Sequence, residues 1–167
     1  MKLCILDEQM KLFLEETFGN RFWSASFYLC NAGESEDPFK KLIGFAELFS
    51  NGCEVANLGA LYIDPDFQNK GLGQTLLKFC TDYAYNKGCQ NLHASMSGLG
   101  DQKRRKAFFV DNDFDSTNGY ILKKPLLKSL VLNKAFSKVE IDQSSLSAEM
   151  NRILKVTRNQ TAHTVED

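Results

Sequence analysis

The stretch from Lys41 to Gly88 narrows the possible folds of this chain most. Two β-prone runs, Lys41 to Ser50 and Cys53 to Ile63, flank Asn51-Gly52, the dipeptide that supplies positive φ at both central positions of a type I′ turn. They read as a hairpin. A two-residue turn pairs Ser50 with Cys53, and the same index sum sets Ala46 opposite Asn57 and Glu47 opposite Ala56. In that register Glu47 and Glu54 share one face and Asn57 faces the same way as Leu61 and Ile63, unless a bulge changes the parity. Asp64, Pro65 and Asp66 end the second strand. From Leu72 the apolar residues Leu76, Leu77, Phe79, Cys80, Tyr83 and Ala84 return at helical spacing until Gly88 stops the helix. Leu92 to Ser95 is a short strand, and strand, glycine loop, helix, strand is a crossover that pairs its strands in parallel.

Around this unit the pattern is looser. Residues 7 to 18 set Met10, Leu12, Phe13, Leu14 and Phe18 among charges and read as a short helix; Phe22 to Asn31 reads as a strand, followed by an acidic loop to Pro38. Asp101 caps a second helix running to about Val110, and Tyr120 to Leu126 is a further strand. The predicted class is mixed α/β (α+β): a central, mostly antiparallel sheet with one parallel pair, flanked by helices. Residues 1–125 form the domain and 126–167 an extension. Within the extension Val139 to Ile141 can be a strand, Ser144 to Val156 is helical, and 158–167 is a frayed tail. The apolar series Leu126, Leu127, Leu130, Val131, Leu132 and Phe136 should pack, either on the core or across a homodimer.

Composition removes several classes. With 167 residues, 43% of them hydrophobic, the chain can bury a core without disulfides, and a net charge of −1 is not that of a polybasic nucleic-acid or membrane binder. Five cysteines in apolar runs, with no CxxC spacing, read as buried free thiols in a reducing cytoplasm. His93 and His163 lack partners at ligand spacing, so no metal is expected. The longest uncharged runs, Phe22 to Gly33 and Val55 to Ile63, fall below the ~18 residues of a membrane span, and Leu3 to Leu6 is too short for a signal-peptide core.

The segment Gln68-Asn69-Lys70-Gly71-Leu72-Gly73-Gln74 lies where a strand ends and a helix begins, so unpaired amides and the positive end of the helix dipole face whatever sits above. Two glycines let an anion approach the backbone, which suits a pyrophosphate. The dinucleotide fingerprint fails because its third glycine would fall at Leu76, and the chain contains no GxxxxGK[ST] stretch. On the pattern alone, a tight turn that merely starts a helix is the alternative.

With its surroundings, Leu61-Tyr62-Ile63-Asp64-Pro65-Asp66-Phe67 followed by Gln68-x-x-Gly71-x-Gly73 resembles the acetyl-CoA signature of the GNAT N-acetyltransferase superfamily. Gly44-Phe45-Ala46-Glu47 is similar to the strand before that signature, and Ala107 to Phe114 to the family's helix ending in FY-x-x-x-GF. The resemblance implies a GNAT-like acyl-CoA N-acyltransferase fold and transfer of an acetyl group from acetyl-CoA to a primary amine. It implies that the amides of Asn69, Lys70, Gly71, Leu72, Gly73 and Gln74 hold the CoA pyrophosphate, that the main chain of Leu61 and Ile63 pairs with the pantetheine, and that Gln68 and Phe109 border the cofactor.

The chain departs from the family at the chemistry. The usual glutamate position is occupied by Asn57, leaving Glu47 and Glu54 as nearby carboxylates, and Phe109 stands where a tyrosine usually protonates the leaving thiolate. Tyr62 and Ser95 are the nearest substitutes. Asp113 takes the motif's glycine position, and Ser97 to Gly100 add a flexible stretch beside the cleft. Lys103, Arg104, Arg105 and Lys106 read as a solvated helix face, a grip on the CoA 3′-phosphate, or a surface for an anionic partner such as RNA. Two further functions stay open: a noncatalytic acyl-CoA-binding module, and acetyl transfer to an RNA-borne aminoacyl group.

Overall fold

The computed structural model describes residues 1–34, 36–52, 54–95, 102–116, 121–126 and 135–164. Nine strands form one sheet: β1 (Lys2–Ile5), β2 (Met10–Phe18), β3 (Trp23–Asn31), β4 (Leu42–Ser50), β5 (Val55–Ile63), β6 (Asn91–Ser95), β7 (Asp115–Ser116), β8 (Ile121–Pro125) and β9 (Ser137–Lys138). Their spatial order is β7-β8-β6-β5-β4-β3-β2-β1-β9. The described helices are α1 (Leu72–Asn86), α2 (Gln102–Asp111) and α3 (Leu146–Thr164). Only β5 and β6, joined by the α1 crossover, pair in parallel; the other described pairs are antiparallel. This is the mixed α/β architecture that the sequence implies.

Two local expectations in the first half of the chain are overturned. Residues 7 to 18 are not a helix. Asp7 turns the chain, its Oδ1 accepting from the amides of Gln9 (2.8 Å) and Met10 (2.7 Å), and β2 follows. Leu12 and Leu14 enter the core on one face of the sheet and Phe13 that on the other, so a strand buried on both faces loses the alternation that would mark it. The central hairpin forms, but not through a two-residue turn. Phe49 pairs with Asn57 and Leu48 with Leu58, after which the register shifts, so that Glu47 pairs with Ala60 and Ala46 with Leu61. Residues 51–54 form the connection, and of Asn51 and Gly52 only the glycine has positive φ, at 77°. Gly59 is the extra residue of a bulge in β5.

Helix α1 lays Leu76, Leu77, Cys80 and Ala84 on one face of the sheet, over Leu14, Phe27, Ala46 and Leu58. The second face, built on Phe13, Tyr28 and Phe45 with Phe39 of the turn before β4 against them, is covered by Leu146, Met150, Ile153 and Leu154 of α3, which recur at helical spacing. Between the two, the chain rounds the β1 edge. Phe136 stacks against Phe79 (5.9 Å) on the α1 side, β9 pairs with β1, and Val139 joins the α3 side. The expected strand at Val139 to Ile141 is thus displaced to Ser137–Lys138, because the free edge of β1 selects which residues pair. Residues 158–164 continue α3 rather than fraying. Of the apolar series in the extension, Leu126 is buried and Phe136 packs into the core, while Leu127, Leu130, Val131 and Leu132 lie outside the described residues, as do Cys53, Ser97 to Asp101 and Tyr120. Cys30, Cys80 and Cys89 are buried free thiols and Cys4 is buried; burial pushes Cys30 up to about 12, which makes it a poor nucleophile.

Arg152 of α3 clamps the end of β5. Its Nη1 donates to Asp64 Oδ2 at 2.8 Å and its Nη2 to the Leu42 carbonyl at 3.1 Å. Asp64 is 6% exposed, and its other oxygen accepts from the Asp66 amide. Arg152→Met leaves that buried carboxylate without its cation, and a loss of about 2 kcal/mol of unfolding stability is expected; a urea midpoint equal to wild type would show the clamp to be idle.

Across the sheet, Glu16 accepts from the Tyr83 hydroxyl (2.7 Å) and pairs with Lys2 (2.7 Å). Burial acts to raise its pKa, but hydrogen bonds from Lys2 and Tyr83 and the charges of Lys2 and Lys87 outweigh burial and hold it below the usual carboxylate range. A carboxyl depressed in the fold adds stability above its unfolded value and loses it as pH falls through the lower folded value. The stability gap between wild type and Glu16→Gln should therefore be about 1 kcal/mol at pH 7 and close as pH falls from about 4.3 downward. Denaturation series from pH 7 to 3 that keep a constant gap would contradict this.

Candidate functional site

The site begins where β6 leaves β5. Their parallel register runs from Val55 with Asn91 to Leu58 with Ala94; β6 then ends at Ser95, while β5 continues to Ile63. Backbone groups alternate in direction along a strand, and here the alternation can be read. The Asp64 amide donates to Ile43 (2.7 Å), and the Tyr62 carbonyl oxygen lies 2.8 Å from a Cβ built on Gly44, so both face β4. Leu61 and Ile63 therefore direct their N–H and C=O groups away from β4, into the gap left by β6. Gln68 Nε2 donates to the Ile63 carbonyl at 3.0 Å. The amides of both residues and the Leu61 carbonyl are left facing the gap.

At its end β5 meets the glycine loop. Asp64 accepts from Asp66 and starts a short 3-10 turn, Pro65–Phe67; Asn69 (φ 62°) and Gly71 (φ 76°) then adopt left-handed conformations, and Gly71 caps α1 with no side-chain acceptor. Thr75 is the first residue whose amide finds a partner in the helix, the Gly71 carbonyl at 3.1 Å. Among the described residues none accepts from the amides of residues 69–74. That row, at the positive end of α1, fits a pyrophosphate. Lys70 and Arg104 add charge, Arg104 Nη2 donating to Asn69 Oδ1 at 2.8 Å.

Two members of the predicted loop also serve structure. Gln68 spends its side chain on Ile63, and its amide donates to Pro65. Gly73 permits close packing: a Cβ there would lie 3.3 Å from the Phe108 ring and 3.9 Å from Ile63, whereas one on Gly71 would meet nothing within 4 Å.

The bulge at Gly59 redistributes the catalytic candidates. Glu47 lies opposite Ala60, on the face of Phe45 and Tyr62 and away from Leu61 and Ile63, as the hairpin count expects. Asn57 does not share the face of Leu61: pairing with Phe49 puts it on Glu47's side, because the extra residue inverts the parity between 57 and 61. Glu54 is exposed in the loop before β5, seven residues from Leu61, or roughly 23 Å of strand at ~3.3 Å per residue. It is therefore not gathered with the others, nor does it share a strand face with Glu47. Ser95 ends β6, and its carbonyl accepts from Arg105 Nε at 3.3 Å.

Phe109 is fully buried, its ring 5.0 Å from Phe114 in the core beneath α1, so it presents no surface to the gap. Asp113, at φ 70°, takes the left-handed turn expected after the helix. Arg105 stands apart from the rest of the basic run. Lys103, Arg104 and Lys106 are exposed, but Arg105 is half-buried, with its guanidinium 5.3 Å above the Phe109 ring. The only signal for this was its position one turn before Phe109 on the same helix face.

The sequence pattern of the acetyltransferase (GNAT) family matches residues 5–109, more than half of the chain. No curated protein sequence matches. Similar solved structures include the ribosomal-protein-S18-alanine N-acetyltransferase of Escherichia coli, 22% identical, covering 69% of this chain and 76% of that one with a TM-score of 0.50. Elp3 of Methanocaldococcus infernus, solved with an N-terminal deletion, is 14% identical over 71% of this chain and 30% of its own, with a TM-score of 0.53. A protein of Desulfovibrio desulfuricans assigned to the GNAT family is 18% identical over 62% and 69%, with a TM-score of 0.52. At such identities the likeness is one of fold. The matched segment contains the split strand pair, the glycine loop and most of α2, and on that match this chain belongs to the GNAT acetyltransferase family, whose members use acyl-CoA.

Proposed function

We propose that this chain is an acetyl-CoA-dependent N-acetyltransferase that transfers an acetyl group directly to a primary amine. The observation that carries this reading is the continuous path of unpartnered backbone groups from the amides of residues 69–74 to the β5 edge at Ile63 and Leu61. The loop amides, with Lys70 and Arg104 beside them, would hold the pyrophosphate, and the β5 edge would take the pantetheine as an added strand. When bound, acetyl-CoA supplies the thioester carbonyl carbon that an amine attacks.

An alkylamine with a pKa near 10.4 is neutral only about once in a thousand molecules at pH 7, so the acceptor needs a base. Glu47, opposite Ala60 beside the bulge, is the candidate carboxylate on the sheet next to the split. Asn57 shares its face and can orient a water between the acceptor nitrogen and Glu47. Phe109 has no proton to donate, and a leaving thiol with a pKa near 8.5 needs little help from an acid. The second reading, a noncatalytic acyl-CoA-binding module, draws support from the amide at Asn57 and the phenyl at Phe109. An RNA-borne acceptor draws less, since Arg104 and Arg105 are engaged with Asn69 and Ser95.

Acetyl-CoA turnover against a panel of amines tests the proposal: amine-dependent CoA release is expected. Binding without turnover would favour the module, and absence of binding would overturn both. Two variants locate the parts. Gly71→Asp has room for its side chain and tolerates positive φ, yet sets a carboxylate at the anion row, so calorimetry should find acetyl-CoA bound at least about tenfold more weakly. Unchanged affinity would remove the loop from the site. Glu47→Gln should lower kcat by about 10²-fold with little change in the KM for acetyl-CoA; a kcat within twofold of wild type would exclude Glu47 as the base.

A further inference from the structure

Arg105 is a half-buried cation with no carboxylate partner among the described residues. Its Nε is held by the Ser95 carbonyl at 3.3 Å, and it lies within electrostatic reach of Tyr62. The guanidinium carries five N–H donors, and the Ser95 carbonyl engages one of them. Burial pulls its pKa down from the ordinary value and the Tyr62 interaction opposes this, but a guanidinium stays protonated. A desolvated charge of this kind calls for an anion.

The place of that anion follows from the fold. An arm laid along β5 from the glycine loop runs back toward Leu58, where pairing with Ala94 resumes, and Ser95 is the next residue of β6. Arg105 is anchored at that residue. Below its guanidinium lies Phe109, where the family resemblance expects a phenol.

Resting on the acyl-CoA reading above, we propose that the Arg105 guanidinium stabilises the negative charge on the leaving sulfur, the task a tyrosine at position 109 would otherwise serve. As the acceptor nitrogen bonds to the carbonyl carbon, the carbon–sulfur bond breaks with its electron pair on sulfur. The ammonium proton leaves through the base, and Arg105 keeps its own protons while donating a charge-assisted hydrogen bond. The product is CoA thiolate, so the contact also exists in the product complex and can be read without turnover.

Calorimetric affinities of CoA and desulfo-CoA, measured at pH 7 and pH 9.5, bracket the thiol pKa near 8.5. For wild type the preference for CoA over desulfo-CoA should rise about tenfold between the two pH values, as the thiolate forms beside the guanidinium. Arg105→Gln should bind desulfo-CoA within twofold of wild type and lose that rise; Arg105→Lys, which keeps the charge, should keep part of it. A flat preference in wild type overturns the proposal without any variant. So does a rise preserved in Arg105→Gln, or an equal loss of both ligands by a natively folded Arg105→Gln, which would put the guanidinium on a phosphate. Binding of neither ligand by wild type overturns the acyl-CoA reading and this proposal together.

Discussion

Where β6 parts from β5, the sheet gives up backbone pairing in its own middle, and the candidate site is organised around that loss. A central strand normally satisfies its N–H and C=O groups on both sides, and unpaired groups within a fold are costly unless something answers them. Beyond Leu58, β5 pairs with β4 alone. Gln68 answers one carbonyl with its side chain, which explains an amide residue at the start of the loop better than contact with phosphate does. The remaining groups stay directed at the gap, continuous with the amides ahead of α1. One interruption of pairing thus produces both a polar edge and the space in which a chain-like ligand can lie against it.

Holding that edge in place falls to parts of the chain distant in sequence. The side chains of Leu61 and Ile63 pack toward the α1 core, and Gly73 brings α1 close enough for Phe108 and Ile63 to meet it. On the opposite face, α3 closes the second core, and Arg152 reaches from it to Asp64, the residue that ends β5 and begins the turn into the glycine loop. The helix lies beyond the segment matched by the family pattern, yet it ties down the first turn of that family's signature. Loop geometry and closure of the second core are therefore coupled through one ion pair.

The parts legible in the sequence were those whose cause is local. The glycine loop, α1 and the parallel crossover follow from turn chemistry and helical spacing within about thirty residues, and the structure has them all. β2 was illegible because Leu12, Phe13 and Leu14 are buried on both faces, a condition set by α1 and α3 rather than by β2 itself. The Gly59 bulge was illegible for a related reason. It depends on how residues 51–54 close the hairpin, and one unpaired residue moves Asn57 to the other face. Arg105 reads as part of a solvated basic run, since all that sets it apart locally from the three neighbouring cations is its place one turn before Phe109.

The same bulge divides labour between the two faces of β5. Between Gly59 and Ile63 the backbone edge faces the split and the side chains of Leu61 and Ile63 face the α1 core, while Glu47, Asn57 and Tyr62 project on the side that α3 covers. Under the proposed chemistry an acceptor amine reaches Glu47 only from that side. Its surroundings there include Ser26, paired with Glu47, and Tyr28, whose hydroxyl burial pushes up and the charges of Glu15 and Glu47 push further. Carboxylates on the approach attract a protonated amine before it is deprotonated, and α3 bounds how large that amine can be. Because α3 lies outside the segment that the family pattern matches, acceptor choice under the proposed chemistry would rest on residues that the family's common pattern does not contain.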